Sequence, residues 1–210
     1  AGDTDQVGPG FLAAADLGDG RIGVAGQGGG HGRDRDRRVA AKLLKAADTP
    51  ANRRRLAEES LRSGDYAHAS ELYGQALKGL YATDPDLMLG LAKAQFGLGE
   101  SAKARATLDA LIAANPSFRS VDGHLLYARA VEDTADAAAA IHEYEAVVQG
   151  YPGEEARARF GLLLKRLGEH ARARSLFQEI LDRSDAAPHY YRREQQDWIA
   201  LARRELASLD

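Results

Sequence analysis

The sequence predicts an all-α fold in which four antiparallel helix pairs stack in series and a C-terminal helix caps the stack. Three observations predict this fold class. Ala, Leu, Arg and Glu, which favour helices, dominate the chain from residue 50 onward. Four segments repeat at nearly constant spacing. Each repeat also alternates small and bulky apolar residues at fixed positions, as closely packed helices require.

The repeat is visible in four segments that align without gaps: SGDYAHASELYGQAL, GLGESAKARATLDALI, DTADAAAAIHEYEAVV and RLGEHARARSLFQEIL. Gly64, Gly99, Ala135 and Gly168 occupy the same position in these segments, at separations of 35, 36 and 33 residues. A glycine between two helical patterns indicates a tight turn, so each segment spans the junction between two helices. A period close to 34 residues is typical of stacked helix pairs.

The apolar positions explain how the two helices of each unit would pack together. Each first helix has a bulky residue followed by a small one, and each second helix has a small residue, then bulky ones four and seven residues later in most units. The small residues let the two helices approach closely. The first-helix pairs are Leu56 and Ala57, Leu91 and Ala92, Tyr127 and Ala128, and Phe160 and Gly161. The second-helix sets are Ala69, Tyr73 and Ala76; Ala104, Leu108 and Leu111; Ala140, Tyr144 and Val147; and Ala173, Phe177 and Ile180.

This pattern resembles the tetratricopeptide repeat (TPR). The resemblance implies a right-handed α-solenoid with units at 50–84, 85–120, 121–153 and 154–187. The segments RRLAEESLRSGDYAHASELYGQAL and HYYRREQQDWIALARREL also resemble bacterial TPR proteins of unassigned role that carry an N-terminal membrane anchor. This chain has glycine-rich sequence in place of that anchor.

Residues 188–210 are predicted to form the capping helix. Tyr191, Trp198, Ile199, Ala202 and Leu206 make an apolar stripe at helical spacing. An array of repeats needs a terminal element with one polar face, because the last unit would otherwise expose its core. The alternative is an aromatic binding box formed by Tyr190, Tyr191 and Trp198. An apolar stripe at helical spacing packs into the protein core more often than it binds a ligand.

Residues 1–38 are predicted to be a flexible arm, since half of the 22 glycines lie within the first 32 residues. Residues 39–49 are predicted to form a short linker helix. The arm contains Gly18-x-Gly20-x-x-Gly23, the spacing of a dinucleotide loop, and Gly29-Gly30-x-Gly32-x-Asp34, the start of a calcium nonapeptide. The first motif needs a strand before it and a helix after it. The second needs tandem copies and an apolar residue where Asp36 stands. The sequence therefore predicts neither a dinucleotide site nor a calcium site in the arm.

Composition excludes several classes of function. The chain has no cysteine, so disulfides, zinc fingers and thiol nucleophiles are impossible. A formal charge of −3 gives no basic footprint for nucleic acid. No apolar run is long enough to cross a bilayer, and no signal peptide is evident at the N-terminus. We expect a cytoplasmic location, at the cytoplasmic membrane if the chain is tethered there.

The sequence predicts no catalytic or metal site. The six histidines are scattered, and none forms the i, i+4 pair of a helical metal site. The adjacent acids Glu58–Glu59 and Glu154–Glu155 are interpreted as solvated helix surface, because neighbouring helical residues point to different faces. No nucleophile has a nearby base. We therefore expect neither an enzyme nor a cofactor-binding protein.

The TPR resemblance implies that the first helices line a concave groove, where proteins of this kind bind peptides or partner domains. Basic residues outnumber acidic ones in that groove, which favours an acidic or amphipathic protein segment. The family's carboxylate-clamping ligand mode is not predicted, because the corresponding sites lack Asn. An alternative is an accessory domain of a membrane-associated assembly or enzyme. The predicted groove residues are Arg54, Glu58, Leu61, Leu89, Lys93, Phe96, Leu125, Arg129, Arg159, Leu162, Lys165 and Arg166.

Overall fold

A computed structural model describes residues 38, 39, 41, 42 and 48–209. Within 48–209 the chain forms ten α-helices and one short 3-10 helix, Gly79–Tyr81, and contains no strand. The α-helices are α1 Pro50–Arg62, α2 Tyr66–Ala76, α3 Pro85–Gly97, α4 Ser101–Ala114, α5 Val121–Asp133, α6 Ala137–Val148, α7 Glu155–Arg166, α8 His170–Ala186, α9 His189–Glu194 and α10 Gln196–Ala207. The glycine-rich arm up to residue 37, both of its glycine motifs and much of the linker helix lie outside the described residues.

Local sequence signals explain where half of the ten described α-helices begin. Thr49 and Asp84 cap α1 and α3 by accepting a backbone hydrogen bond, and Pro50 and Pro85 follow at the first helical position. Proline suits that position because its φ is already helical and its missing N–H would be unpaired anyway. Asp65, Ser120 and Asp136 cap α2, α5 and α6 in the same way.

The turn inside each helix pair has a left-handed residue at the position predicted from the alignment. Gly64, Gly99 and Gly168 have φ values of 80°, 77° and 81°. Ala135, which replaces glycine in the third unit, has a φ of 66°. The third turn thus keeps the conformation that glycine adopts freely, although an alanine there is strained.

The helices pair as the sequence predicts, and the fold class is confirmed. Helices α1 and α2, α3 and α4, α5 and α6, and α7 and α8 pack against each other, and each second helix also packs against the next first helix. The small positions of the second helices are fully buried at Ala69, Ala104, Ala140 and Ala173. An added Cβ at Gly161 would lie 2.6 Å from a ring carbon of Phe177, so the predicted close approach is present.

The buried apolar residues form three clusters. The largest runs through α5, α6, α7, α8 and α10 and includes Phe160, Phe177 and Trp198. A second cluster joins α1, α2 and α3 around Leu56 and Tyr73. The third consists of Ala92, Leu108 and Leu126 and lies between the second and third units. The core is therefore divided unevenly along the stack.

The cap differs from the single helix predicted. It comprises two helices, α9 and α10, which meet at Gln195. Helix α10 packs on α8 and α7, and Trp198, Ile199 and Ala202 are buried in the largest cluster. The core interpretation of the apolar stripe is thus correct, while Tyr190 is 62% exposed. No helix in the described part of the chain is long and apolar enough to cross a membrane.

Candidate functional site

The first helices form one side of the stack, which we call the inner face. Helix α1 contacts α3, and α3 contacts α5, in addition to their contacts with second helices. The predicted groove residues lie on α1, α3, α5 and α7. Several of them meet across the boundaries between units, so the inner face is a continuous surface rather than four separate ones.

At the first boundary, Arg54 bridges α1 and α3. Its Nε donates to Glu58 Oε1 at 2.9 Å, and its Nη2 lies 3.2 Å from Asp86 Oδ2. The hydrogen bond to Glu58 is the main cause of the raised pKa of Arg54, with Asp86 contributing further. Both partners hold the guanidinium in place, so this cation has carboxylates of its own.

At the second boundary, Arg129 lies over the ring of Phe96. The guanidinium carbon is 4.5 Å from the ring centroid, which is cation–π geometry. Burial is the main cause of the lowered pKa of Arg129, and the nearby charge of Arg159 lowers it further. Within the described residues, Arg129 has no hydrogen-bond acceptor or ion-pair partner, and neither has Lys93 on the same helix as Phe96. We call Lys93, Phe96 and Arg129 the open cation site.

The fourth unit directs its inner-face cations to neighbouring elements. Arg166 donates to Glu132 of α5 at 2.5 Å. Lys165 donates to Glu205 and Ser208 of the cap, at 2.7 Å in each case. Arg159 donates to Glu155 at 2.8 Å, and its guanidinium carbon lies 5.1 Å from the Trp198 ring centroid. These three cations therefore join unit four to unit three and to the cap.

The apolar groove residues differ in accessibility. Leu61, Leu89, Phe96 and Leu162 are partly buried and pack against the core clusters, leaving part of each side chain accessible. Leu125 is only 4% exposed and belongs to the largest cluster. The prediction that Leu125 presents itself to a ligand is wrong, because this side chain fills the core between helices.

Two acids interpreted from sequence as solvated surface are buried. Glu59 is buried beside Arg62, with which it forms an ion pair. Glu154 is 0% exposed and receives hydrogen bonds from Arg183 and Tyr191. Tyr191, a partner of Glu154, lies 37 positions away in sequence, so no local pattern indicated the burial of that carboxylate. Glu155 is partly buried and pairs with Arg159.

The described residues contain no group of three His, Asp or Glu side chains that could hold a metal ion. Three of the described histidines, His68, His124 and His142, make pairwise contacts with an acid instead. His124 lies 2.9 Å from Glu143, and His68 lies 3.1 Å from the hydroxyl of Ser60. The inner face thus offers cations, partly exposed apolar groups and hydrogen-bond donors, which suit recognition of another molecule's surface.

These features define an α-solenoid, a stack of helix pairs whose first helices share one face. The family model described as "Tetratricopeptide repeat" matches residues 60–130. This match agrees with the resemblance predicted from the sequence pattern over that segment. A sequence search of curated proteins found no match.

Solved structures similar to this chain are also TPR proteins or share their fold. The crystal structure of MamA has a TM-score of 0.62 and 22% identity, covering 73% of this chain and 90% of its own. TTC0263, a thermophilic TPR protein of Thermus thermophilus, has a TM-score of 0.60 and 17% identity, covering 84% and 90%. YrrB, described as a TPR protein with an unusual peptide-binding site, has a TM-score of 0.57 and 16% identity, covering 78% and 90%. At these identities the likeness establishes the fold.

Proposed function

We propose that this protein is a non-catalytic interaction scaffold that binds an acidic, amphipathic segment of a partner protein on its inner face. The segment binds across the boundary of units two and three, at the open cation site. No cofactor takes part. Arg54 and Arg166, which bridge neighbouring units, fix the relative positions of the first helices and border the bound segment.

The observation that supports this function most strongly is the state of Arg129. Its guanidinium is partly buried and stacked on Phe96, yet it has no acceptor in the described part of the chain. A guanidinium is planar and carries five N–H donors, which match the two oxygens of a carboxylate. A hydrogen bond to a charged group contributes about 1.5–3 kcal/mol. A partner's Asp or Glu would supply the missing acceptor.

Apolar groups beside the open cation site would hold the rest of the segment. Leu89 and Phe96 lie on α3 and are partly exposed. Apolar anchors in partly enclosed positions usually provide most of the binding free energy, while charges select the partner and speed its approach. An amphipathic segment with acidic and apolar residues satisfies both requirements.

The peptide-binding site described for YrrB supports this proposal by analogy of fold. A shared fold does not itself transfer a ligand, so the argument depends on the residues of this chain. Its inner face carries an unpartnered, partly desolvated cation next to an aromatic ring, and this arrangement favours an anionic group that arrives with apolar neighbours.

The test is a binding measurement with two synthetic peptides. One is a labelled amphipathic peptide of Glu and Leu, and the other has Lys in place of every Glu. We expect the 210-residue chain to bind the acidic peptide, with affinity that falls as salt rises. Arg129→Gln should weaken binding by about tenfold or more, and Lys93→Gln by less, since a hydrogen bond to charge is lost at Arg129.

Lys103→Gln is the matched control. Lys103 lies on α4, a second helix, with its side chain 66% exposed and paired only with Glu100. Removing an exposed pair costs little, so the fold and the peptide affinity should both be retained. Equal binding of both peptides, or an equal loss with Lys103→Gln, would overturn the proposed site.

A further inference from the structure

The junction between unit four and the cap contains a buried carboxylate. Glu154, the residue before α7, is 0% exposed. Its Oε1 accepts hydrogen bonds from the hydroxyl of Tyr191 at 2.6 Å and from Nε of Arg183 at 3.0 Å. Tyr191 lies on α9 and Arg183 on α8, so one carboxylate joins the start of unit four to its second helix and to the cap.

The backbone at this junction is held by the cap as well. The N–H of Glu154 donates to Oε1 of Gln195 at 2.9 Å. Gln195 is the residue at which the cap divides into two helices. A Cβ added to Gly153 would lie 2.9 Å from the same Gln195 oxygen, so the absence of a side chain at Gly153 makes room for this contact. The break in the cap therefore serves to bring Gln195 onto unit four.

Not every polar side-chain atom at this junction has a hydrogen-bond partner. Oε2 of Glu154 and Nη1 of Arg157 are both buried without a hydrogen-bond partner, and they lie 3.8 Å apart. The other donors of Arg157 are used, with Nε at 2.7 Å from Glu179 and Nη2 at 3.0 Å from the carbonyl of Val148. Buried polar atoms without partners destabilise the state that contains them. The carboxylate of Glu154 therefore has one oxygen bonded to α8 and the cap, while the other faces Arg157.

The cap also occupies part of the inner face. Trp198 lies under Arg159, and Glu205 accepts from Lys165. An aromatic ring and a carboxylate on an amphipathic helix are the same chemical groups that we propose for the partner segment. The charge of Arg159 lowers the pKa of Arg129, after the larger effect of burial, so the covered cations lie next to the open cation site.

We propose that the cap, His189–Ala207, is a displaceable internal occupant of the inner face and that Glu154 is the latch that holds it docked. When the latch releases, Lys165 loses its partners in the cap and Arg159, which keeps its pair with Glu155, loses the indole that covers it, so the binding surface extends from the open cation site across unit four. This regulation rests on the proposed function, because it concerns the same acidic segment. The latch itself is a property of the chain alone and can be measured without a partner.

Trp198 reports on the cap because it is the only tryptophan in the sequence. In the docked cap it is 7% exposed. In the 210-residue chain, Glu154→Gln removes the charge that holds Arg183 while keeping the size of the side chain. We expect Trp198 emission to shift to longer wavelength and acrylamide quenching to increase about twofold or more, with helical circular dichroism nearly unchanged. Such a change marks transfer of the indole from a buried environment to water.

Tyr191→Phe and Glu145→Gln complete the experiment. Tyr191→Phe deletes the phenol hydroxyl, with its hydrogen bond to Glu154 and its longer one to the Pro152 carbonyl, and it decides the outcome if Glu154→Gln unfolds the chain. Glu145→Gln is the control, since Glu145 is exposed and pairs with Arg172. Unchanged Trp198 quenching in the folded Glu154→Gln protein, or in Tyr191→Phe if the first variant unfolds, would overturn the latch.

Binding of the acidic Glu/Leu peptide separates the latch from the proposed function. We expect the latch variants to bind this peptide about threefold or more tightly than the unaltered chain, because the cap no longer competes for Arg159 and Lys165. If Trp198 becomes exposed but no variant binds the peptide, the latch stands and the proposed function fails. If the unaltered chain binds the peptide and the latch variants bind it no more tightly, the cap does not compete and the inference fails.

Discussion

The two halves of the stack are built from the same repeat but are held together differently. In the C-terminal half, one apolar cluster runs through units three and four and into the cap, and it contains Phe160, Phe177 and Trp198. In the N-terminal half, one cluster joins unit one to α3, and a small cluster of Ala92, Leu108 and Leu126 connects units two and three. Equal repeats therefore do not give equal stability along the chain.

The open cation site lies at the thinly packed boundary between these halves. Phe96 belongs to unit two and Arg129 to unit three, and their contact crosses the boundary. A residue that must meet a ligand cannot also be fully packed against its own chain, so functional sites often sacrifice stability. A bound segment that contacted both sides would add the contacts that this boundary lacks, and it would couple the two halves.

The largest expected effect comes from overpacking each half at a glycine that lies against a buried aromatic ring. Gly161→Leu forces a side chain against Phe177, whose ring carbons would lie from 2.6 Å to 3.2 Å from the new Cβ. Phe177 is fully buried in the largest cluster and has no room to move. We expect a loss of about 3 kcal/mol in the free energy of unfolding, measured by urea denaturation followed by circular dichroism and by Trp198 emission.

Gly90→Leu is the counterpart in the N-terminal half. The new Cβ would lie 2.3 Å from Tyr73 Cζ and 2.8 Å from its hydroxyl, which are the far end of that side chain. Tyr73 is also buried, but in a smaller cluster than Phe177, so we expect a smaller loss of about 1 kcal/mol. Trp198, in the other half, should then report a later transition than circular dichroism. Equal losses and coincident transitions would contradict the division of the stack.

The fold could be predicted because its determinants are local and repeated. The left-handed turn at Ala135 and the close contact of Gly161 with Phe177 both follow from an alignment of the chain with itself. The candidate site was harder to predict from the sequence than the fold. The position of Arg129 on the inner face followed from the register, but its lack of an acceptor depends on every neighbouring helix. The burial of Glu154 depends on Tyr191 and Gln195, which are 37 and 41 residues away.

Alkaline pH should lower the folding stability through a buried tyrosine of the N-terminal half. Burial, with the nearby charge of Glu58, raises the pKa of Tyr73 to about 12. The unfolded chain loses the phenol proton near pH 10, whereas the folded chain retains it up to about pH 12. The stability due to this group is therefore complete below pH 10 and falls as pH rises toward 12, by about 2 kcal/mol in all.

Thermal melts between pH 9 and pH 11.5, values chosen to span about the window in which the two states differ in charge, measure this effect. Tyr73→Phe should reduce the decrease because it removes the titrating group. Burial also raises the pKa of Tyr151, in the C-terminal half, to about 12, so some decrease should remain in that variant. A pH profile that is identical with and without the Tyr73 hydroxyl would show that the ionisation of Tyr73 does not cause the decrease in stability.

The smallest expected effect concerns the third turn, where the repeat departs from its own pattern. Ala135 has a φ of 66°, a conformation that costs a residue with a Cβ about 1–2 kcal/mol. Ala135→Gly removes that cost but adds about 0.5–1 kcal/mol of backbone entropy to the unfolded chain. We expect a net gain of about 0.5 kcal/mol, visible as a rise in urea midpoint with an unchanged m-value.

Gly99→Ala is the reciprocal change. Its φ is 77° and no atom lies within 4 Å of an added Cβ, so only backbone strain opposes it, and we expect a loss of similar size. If Ala135→Gly destabilised the protein, the strain at the third turn would be smaller than the entropy of glycine, and the turn sequences would be no guide to the difference between the halves.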